Sequence, residues 1–278
     1  MGNINLKKIL FFLILFAAPG ILSAQTLELQ TIPNNKKQFG FSFNKAFFTS
    51  YSNISTLSGV YQLYTNIPVS SKLNIIGNIP FIYTSYDINY SFANYSISKS
   101  GLGNIFIGLQ AKPGITKNRR SIFTFGLFLP TASENASLNG TLTDYYYFSK
   151  YISNSIGLHF NYAYHYINNE GFNYGLELGP NLLIATKGNS QTELFAHYGI
   201  IAGYQINKLL VNLEVIGVAS VSEDIDNFGD RFINMLNIGL QQRGSTVKPK
   251  IFYKVFLRNE IRHNVDGVLG LGINVSID

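Results

Sequence analysis

The chain has 278 residues and a formal net charge of +6, with 13% charged residues, 14% aromatic residues and no cysteine. Soluble domains usually carry about a quarter charged residues, so this low content indicates that much of the exterior faces something other than water. The lack of cysteine excludes disulfides, thiol catalysis and cysteine metal sites. Because there is no long basic run, binding to nucleic acid is not expected.

The first predicted element is a signal peptide over residues 1–24. Lys7 and Lys8 precede a short apolar run, residues 9–18, and small residues follow at Ser23 and Ala24. A spanning helix needs roughly 20 apolar residues, so export and cleavage after Ala24 are predicted instead. Residues 25–37 would then form a short periplasmic segment, and residues 38–278 would form the folded domain in the outer membrane of a Gram-negative bacterium.

Alternation of apolar and polar residues with a period of two fills the rest of the chain, as is typical of half-buried strands. In the clearest case, Leu158 and Phe160 share one face while His159 and Asn161 share the other. About twelve segments follow this pattern, the even number that bacterial barrels require. They cover residues 39–44, 61–67, 72–81, 104–110, 123–129, 152–165, 172–184, 193–205, 209–215, 231–241, 250–258 and 269–277.

After residue 24 no apolar stretch approaches the length of a transmembrane helix, so only a closed barrel could cross a bilayer. The sequence therefore predicts an all-β, transmembrane, antiparallel up-and-down barrel with apolar residues facing lipid and polar residues facing the lumen. The alternative is a soluble lipocalin-like barrel or large β-sandwich, whose apolar face points inward.

The connections are predicted to alternate between short periplasmic turns and longer external loops. Tyrosines, which would replace the missing Trp at the interface, are expected near the outer rim at Tyr83, Tyr86, Tyr90, Tyr145, Tyr146, Tyr147 and Tyr151. The external loops are expected at residues 51–56, 84–100, 131–150, 186–190, 220–229 and 259–264.

Ionisable residues fall on the predicted inward face, and they are the candidate lumen-lining residues. Opposite charges there either orient a solute or neutralise each other. No metal site is expected, because strand spacing does not bring three or four ligands together, and no cofactor is expected either. The candidates are His159, His165, Glu177, Glu193, His197, Glu214, Arg231, Lys250, Lys254 and Arg258.

One short segment carries a family resemblance. Residues 100–108 read SGLGNIFIG and follow Ile79-Pro80-Phe81. This resembles the S-G-L-G-D signature of the outer-membrane transporters of the phenol-degradation meta-pathway family, relatives of the long-chain fatty-acid channels, with Asn104 where that family has Asp. The resemblance implies a barrel that passes small, often hydrophobic or aromatic, solutes.

Twelve strands should enclose a narrow lumen, since eight leave an interior filled by side chains and sixteen or more leave an open channel. The sequence therefore predicts an outer-membrane channel for passive passage of a small solute, not an enzyme. Its expected partners are that solute, outer-membrane lipid and lipopolysaccharide, and the barrel-insertion machinery. Two alternatives stay open: a structural or adhesive barrel with a closed lumen, and a lipid-modifying enzyme, although the Gly-x-Ser-x-Gly elbow is absent.

Overall fold

The computed structural model describes residues 36–49, 55–89, 94–116, 118–134, 137–168, 170–187, 191–222, 227–242 and 246–277. The predicted signal peptide and nearly all of the segment 25–37 lie outside these residues. The strands are β1 (Lys37–Phe48), β2 (Gly59–Pro68), β3 (Leu73–Asn89), β4 (Asn94–Leu102), β5 (Phe106–Ile115), β6 (Arg119–Phe128), β7 (Ser155–Ile167), β8 (Phe172–Ala185), β9 (Glu193–Ile206), β10 (Leu209–Ser220), β11 (Phe232–Gln242), β12 (Val247–Phe256) and β13 (Val265–Ile277).

The described helices are short. They are α1 (Ser137–Thr143), α2 (Asn259–Arg262) and two 3₁₀ helices, Tyr145–Lys150 and Phe228–Arg231. Among the residues with described positions, none of the helices is both long enough and apolar enough to cross a bilayer.

All strands except β4 close into one antiparallel barrel. β1 pairs with β13 over almost its whole length, and this pairing joins the first strand of the chain to the last. β3 pairs with β2 on one side and with β5 on the other, and β4 continues only the far half of β3 as a hairpin. The barrel therefore has twelve strands, and the predicted fold class is confirmed.

The barrel has two unlike ends. At the turn end the connections β2–β3, β5–β6, β7–β8, β9–β10 and β11–β12 are short, and at the loop end most of the remaining connections are longer. One predicted loop, residues 84–100, is wrong in part, because β3 and β4 extend through it as a hairpin that protrudes past the barrel wall. This stretch is rich in Ser, Asn and Tyr and was therefore assigned to a loop, although Tyr86 and Ile88 alternate with Ser85 and Asp87 in its sequence.

Side chains alternate across the wall with apolar residues outward. Ile200 is 69% exposed and Phe41 is 42% exposed, whereas Asn212 and Glu214 on the opposite face are almost completely buried. An exterior of large apolar side chains with polar residues inside is the arrangement of a transmembrane barrel. The soluble alternative required the reverse polarity, so it is wrong.

Candidate functional site: the lumen and an inserted segment

The connection between β6 and β7 enters the barrel. Residues 137–154, which we call the inserted segment, contain α1 and the 3₁₀ helix Tyr145–Lys150. Tyr146 and Tyr151 are each only 1% exposed, and Tyr147 is also buried. The prediction of an external loop with rim tyrosines is therefore wrong for these three residues. Their rings pack against apolar side chains of the barrel wall.

The inserted segment packs on an apolar patch inside the loop half of the barrel. Tyr146, Tyr147 and Phe148 form one buried cluster with the wall, and the ring of Phe148 meets that of Phe195 edge-on at 4.6 Å. Burial of each such side chain stabilises by about 1.5–3 kcal/mol. Inward-facing residues are mostly polar in the turn half of the barrel and largely apolar in the loop half. The wall residues of the apolar cluster are Ala46, Leu183, Phe195, Ile216, Val218, Met235, Phe256, Val265 and Val268.

A buried charge network lies where the segment reaches the middle of the lumen. Asp144 is 1% exposed, and one of its oxygens accepts hydrogen bonds from Gln62 at 2.9 Å and from the Tyr151 hydroxyl at 2.8 Å. The Lys150 ammonium lies 3.3 Å from that oxygen, and the Lys254 ammonium lies 4.0 Å from the other. A buried carboxylate requires such partners, because an unpaired buried charge is very costly.

Residues 100–104, which we call the SGLGN stretch, hold the C-terminal end of the inserted segment. The Asn104 side-chain amide donates to the backbone oxygens of Ser149 and Ile152, both at 2.8 Å, and its carbonyl accepts from the Ala132 backbone at 2.8 Å. A Cβ on Gly103 would lie 2.5 Å from the Lys150 backbone oxygen, so only glycine permits this approach. An aspartate at position 104 could not donate these bonds. The residues that carry the family resemblance therefore act here as a clamp on the inserted segment.

Two histidines lie beside the segment at the centre of the barrel. The ring centroids of His159 and His197 are 5.6 Å apart, and the His197 ring is 5.1 Å from that of Tyr146. The Tyr146 hydroxyl donates to Glu177 at 2.9 Å. In the part of the chain that the structure describes, no group of three or more His, Cys, Asp or Glu residues could hold a metal ion. The arrangement is one of aromatic packing around buried polar groups.

Below the inserted segment, toward the turn end, lies an enclosed cavity lined by both polar and apolar side chains. Its volume is about 120 Å³, which is space for about four water molecules. Asp144, Tyr147 and Lys150 of the segment form its roof. The walls come from β1–β3, β5–β7 and β12: Ser42, Asn44, Gln62, Tyr64, Thr65, Ile76, Gly77, Asn78, Phe106, Gln110, Ile122, Thr124, Phe128, His159, Asn161, Ala163, Lys250 and Phe252.

The structure places the sequence-predicted residues in four locations. His159 and Lys250 line the cavity, and Glu177, His197, Glu214 and Lys254 are buried around or beside the inserted segment. His165 is buried nearer the turn end. The remaining three, Glu193, Arg231 and Arg258, are only half-buried at the loop end.

At the loop end Arg258 makes two exposed ion pairs. Its guanidinium contacts Asp230 at 2.8 Å and Glu260 at 3.0 Å. These contacts link the β10–β11 and β12–β13 connections at the rim of the barrel, and they do not reach the cavity. Of the residues that do form the cavity, the prediction missed Asp144 and Lys150, because both were assigned to an external loop. The available signal was the run of four aromatic residues between them, which is unusual for a solvated loop.

The closed barrel and its apolar exterior define the fold of an outer-membrane β-barrel. No protein-family model matches the chain, and no curated protein matches it. A solved outer membrane channel from Pseudomonas putida F1 is similar in structure, with a TM-score of 0.64 at 13% identity, covering 91% of this chain and all of that one. The KdgM porin is similar with a TM-score of 0.50 at 6% identity, covering 87% of this chain and 99% of that one. At such identities the likeness establishes the fold.

Proposed function

We propose that this protein is an outer-membrane channel for passive passage of a small solute, and that the inserted segment closes it in the conformation described. The observation that carries the proposal is the cavity enclosed beneath that segment in a barrel with an apolar exterior. No covalent chemistry is part of this function. The short turns would face the periplasm and the inserted segment would enter from outside, following the usual sidedness of such barrels.

The contacts of the segment support a movable closure. Much of its attachment consists of hydrogen bonds and ion pairs, among them those of Asp144 and Asn104. Water can replace such partners, so each hydrogen bond contributes only about 0.5–1.5 kcal/mol net. The fold shared with an outer membrane channel and a porin agrees with this function, as does the SGLGN resemblance noted above.

A permanently closed structural barrel is the second candidate function. The apolar cluster around Phe148 favours it, because this packing would be lost whenever the segment left the lumen. The two functions differ in one respect that is directly measurable: only a channel needs the segment to move.

A reversible disulfide between the segment and the wall tests this difference. The Asn181 side chain on β8 donates to the Ser149 hydroxyl at 2.5 Å, so the two side chains are in contact. Since the chain has no cysteine, a Ser149→Cys/Asn181→Cys variant carries one thiol pair. We expect planar-bilayer conductance and liposome solute uptake to be low when this variant is oxidised and to rise several-fold on reduction.

The two single-cysteine variants are the controls, and redox conditions should not change their conductance. If wild type and the reduced double variant are both folded yet neither conducts nor admits solute, the closed structural barrel is the better explanation. Lipid turnover by the folded wild type would instead support the enzymatic alternative.

A further inference from the structure

We propose that the enclosed cavity is a binding site for a small hydroxylated carboxylate, the class of solute that the channel would carry. This inference rests on the proposed function and specifies its solute. Three features of the cavity support it: the charge at its turn side, the unpaired polar atoms in its wall, and its size.

The charged side chains on the turn side of the cavity are basic. Gln110, Ile122 and Lys250 line the cavity. One inward-facing position closer to the turn end, the same three strands carry Lys112, Arg120 and Lys248. Among the described inward-facing strand residues at this level, none is acidic. A pathway lined by one sign of charge concentrates solutes of the opposite sign.

Asp144, the acidic residue in the roof of the cavity, does not cancel the positive field of these basic residues. Asp144 already faces the ammonium groups of Lys150 and Lys254 and accepts two hydrogen bonds from neutral donors. Lys250 also lines the cavity and carries a further positive charge. A solute carboxylate is therefore favoured over an ammonium group or a neutral molecule.

Five buried polar atoms of the cavity lining have no hydrogen-bond partner among the described residues. Three are side-chain carbonyl oxygens, of Asn44, Asn78 and Asn161, and the others are the Tyr64 hydroxyl and the His159 Nδ1. Buried polar groups are nearly always paired with protein, water or ligand. Carbonyl oxygens accept hydrogen bonds, so the matching solute groups are donors, and hydroxyls are donors that leave the solute without positive charge.

Size and shape restrict the class further. A volume of about 120 Å³ is below the roughly 150 Å³ of a cavity that holds benzene, so it suits a solute of about six heavy atoms, such as a three-carbon hydroxy acid. Phe106, Phe128 and Phe252 interrupt the polar wall and offer apolar surface to the C–H faces of such a molecule. A neutral hydrocarbon would leave the carbonyl oxygens unpaired, which costs about 1–3 kcal/mol for each group.

Calorimetric titration of the folded wild-type protein in detergent with three three-carbon probes tests the proposal. Glycerate has hydroxyls and a carboxylate, glycerol has the hydroxyls alone, and propionate has the carboxylate alone. We expect glycerate to bind at least tenfold more tightly than either of the other two. Equal affinity for glycerate and glycerol, equal affinity for glycerate and propionate, or no binding of glycerate would each overturn the proposal.

Two variants separate the charge from the hydroxyl contacts. Lys250→Gln should weaken glycerate about tenfold and leave glycerol unchanged, whereas Asn78→Leu should weaken both. Arg258→Gln, at the rim, is the matched control and should change neither affinity. Because binding is measured without a membrane, conductance without glycerate binding would refute this inference alone, and binding without conductance would refute only the channel.

Discussion

The turn half and the loop half of the lumen differ in how they are filled. In the turn half, inward-facing amides and basic residues surround a cavity, and many of their polar atoms need a mobile partner. In the loop half, most inward-facing residues are apolar, and the inserted segment covers them. The difference shows that a barrel wall of uniform outward polarity can combine a filled half with a hollow half, depending only on its inward residues.

The largest expected effect comes from the charge network at the boundary between the halves. Asp144→Ala leaves Lys150 and Lys254 near the lumen centre without their shared carboxylate, and breaking one side of a buried pair costs about 3–5 kcal/mol. The docked segment should be destabilised by this amount. Lys150 is the one basic residue within residues 137–154, so the rate of tryptic cleavage after it reports release and should rise on the order of a hundredfold.

The clamp at the SGLGN stretch should have the next largest effect. Asn104→Asp removes two donated hydrogen bonds and sets a carboxylate against two backbone oxygens. Losing partners for buried groups costs about 1–3 kcal/mol, so cleavage after Lys150 should accelerate at least tenfold. A cleavage rate equal to that of wild type would show that Asn104 does not hold the segment.

One hydrogen bond between the segment and the wall of β8 should contribute less. Tyr146→Phe removes the hydroxyl that donates to Glu177 while keeping the ring in the apolar cluster. Hydrogen bonds to charged groups contribute about 1.5–3 kcal/mol when buried, and loss at the lower end of this range is expected because the ring still packs. Conductance in bilayers should rise modestly, and an unchanged conductance would mean that this contact does not govern closure.

The smallest effect is expected at the rim. Arg258→Ala removes two ion pairs whose side chains are largely solvent-exposed, and exposed pairs contribute about 0–1 kcal/mol. Both the cleavage rate after Lys150 and the conductance should match those of wild type. A large change in either would indicate that the rim connection is coupled to the inserted segment.

Period-two alternation was sufficient to predict most of the barrel. Residues such as Leu158 and Phe160 face outward and His159 and Asn161 face inward, as expected. The prediction succeeded because each strand sees lipid on one side throughout its length, so its outward positions are uniformly apolar. The hairpin of β3 and β4 was missed because its sequence, rich in Ser, Asn and Tyr, was interpreted as an external loop although it also alternates.

What the sequence determined alone was therefore the number of barrel strands, the direction of most strand side chains and the fold class, because these follow from local periodicity and from the need to satisfy backbone hydrogen bonds in a bilayer. What only the tertiary structure decided was the fate of residues 137–154. Their burial depends on contacts with residues far away in the chain, such as Asp144 with Gln62 and Lys254, and Phe148 with Phe195. No local pattern encodes such contacts, since they exist only once the barrel has closed around the segment.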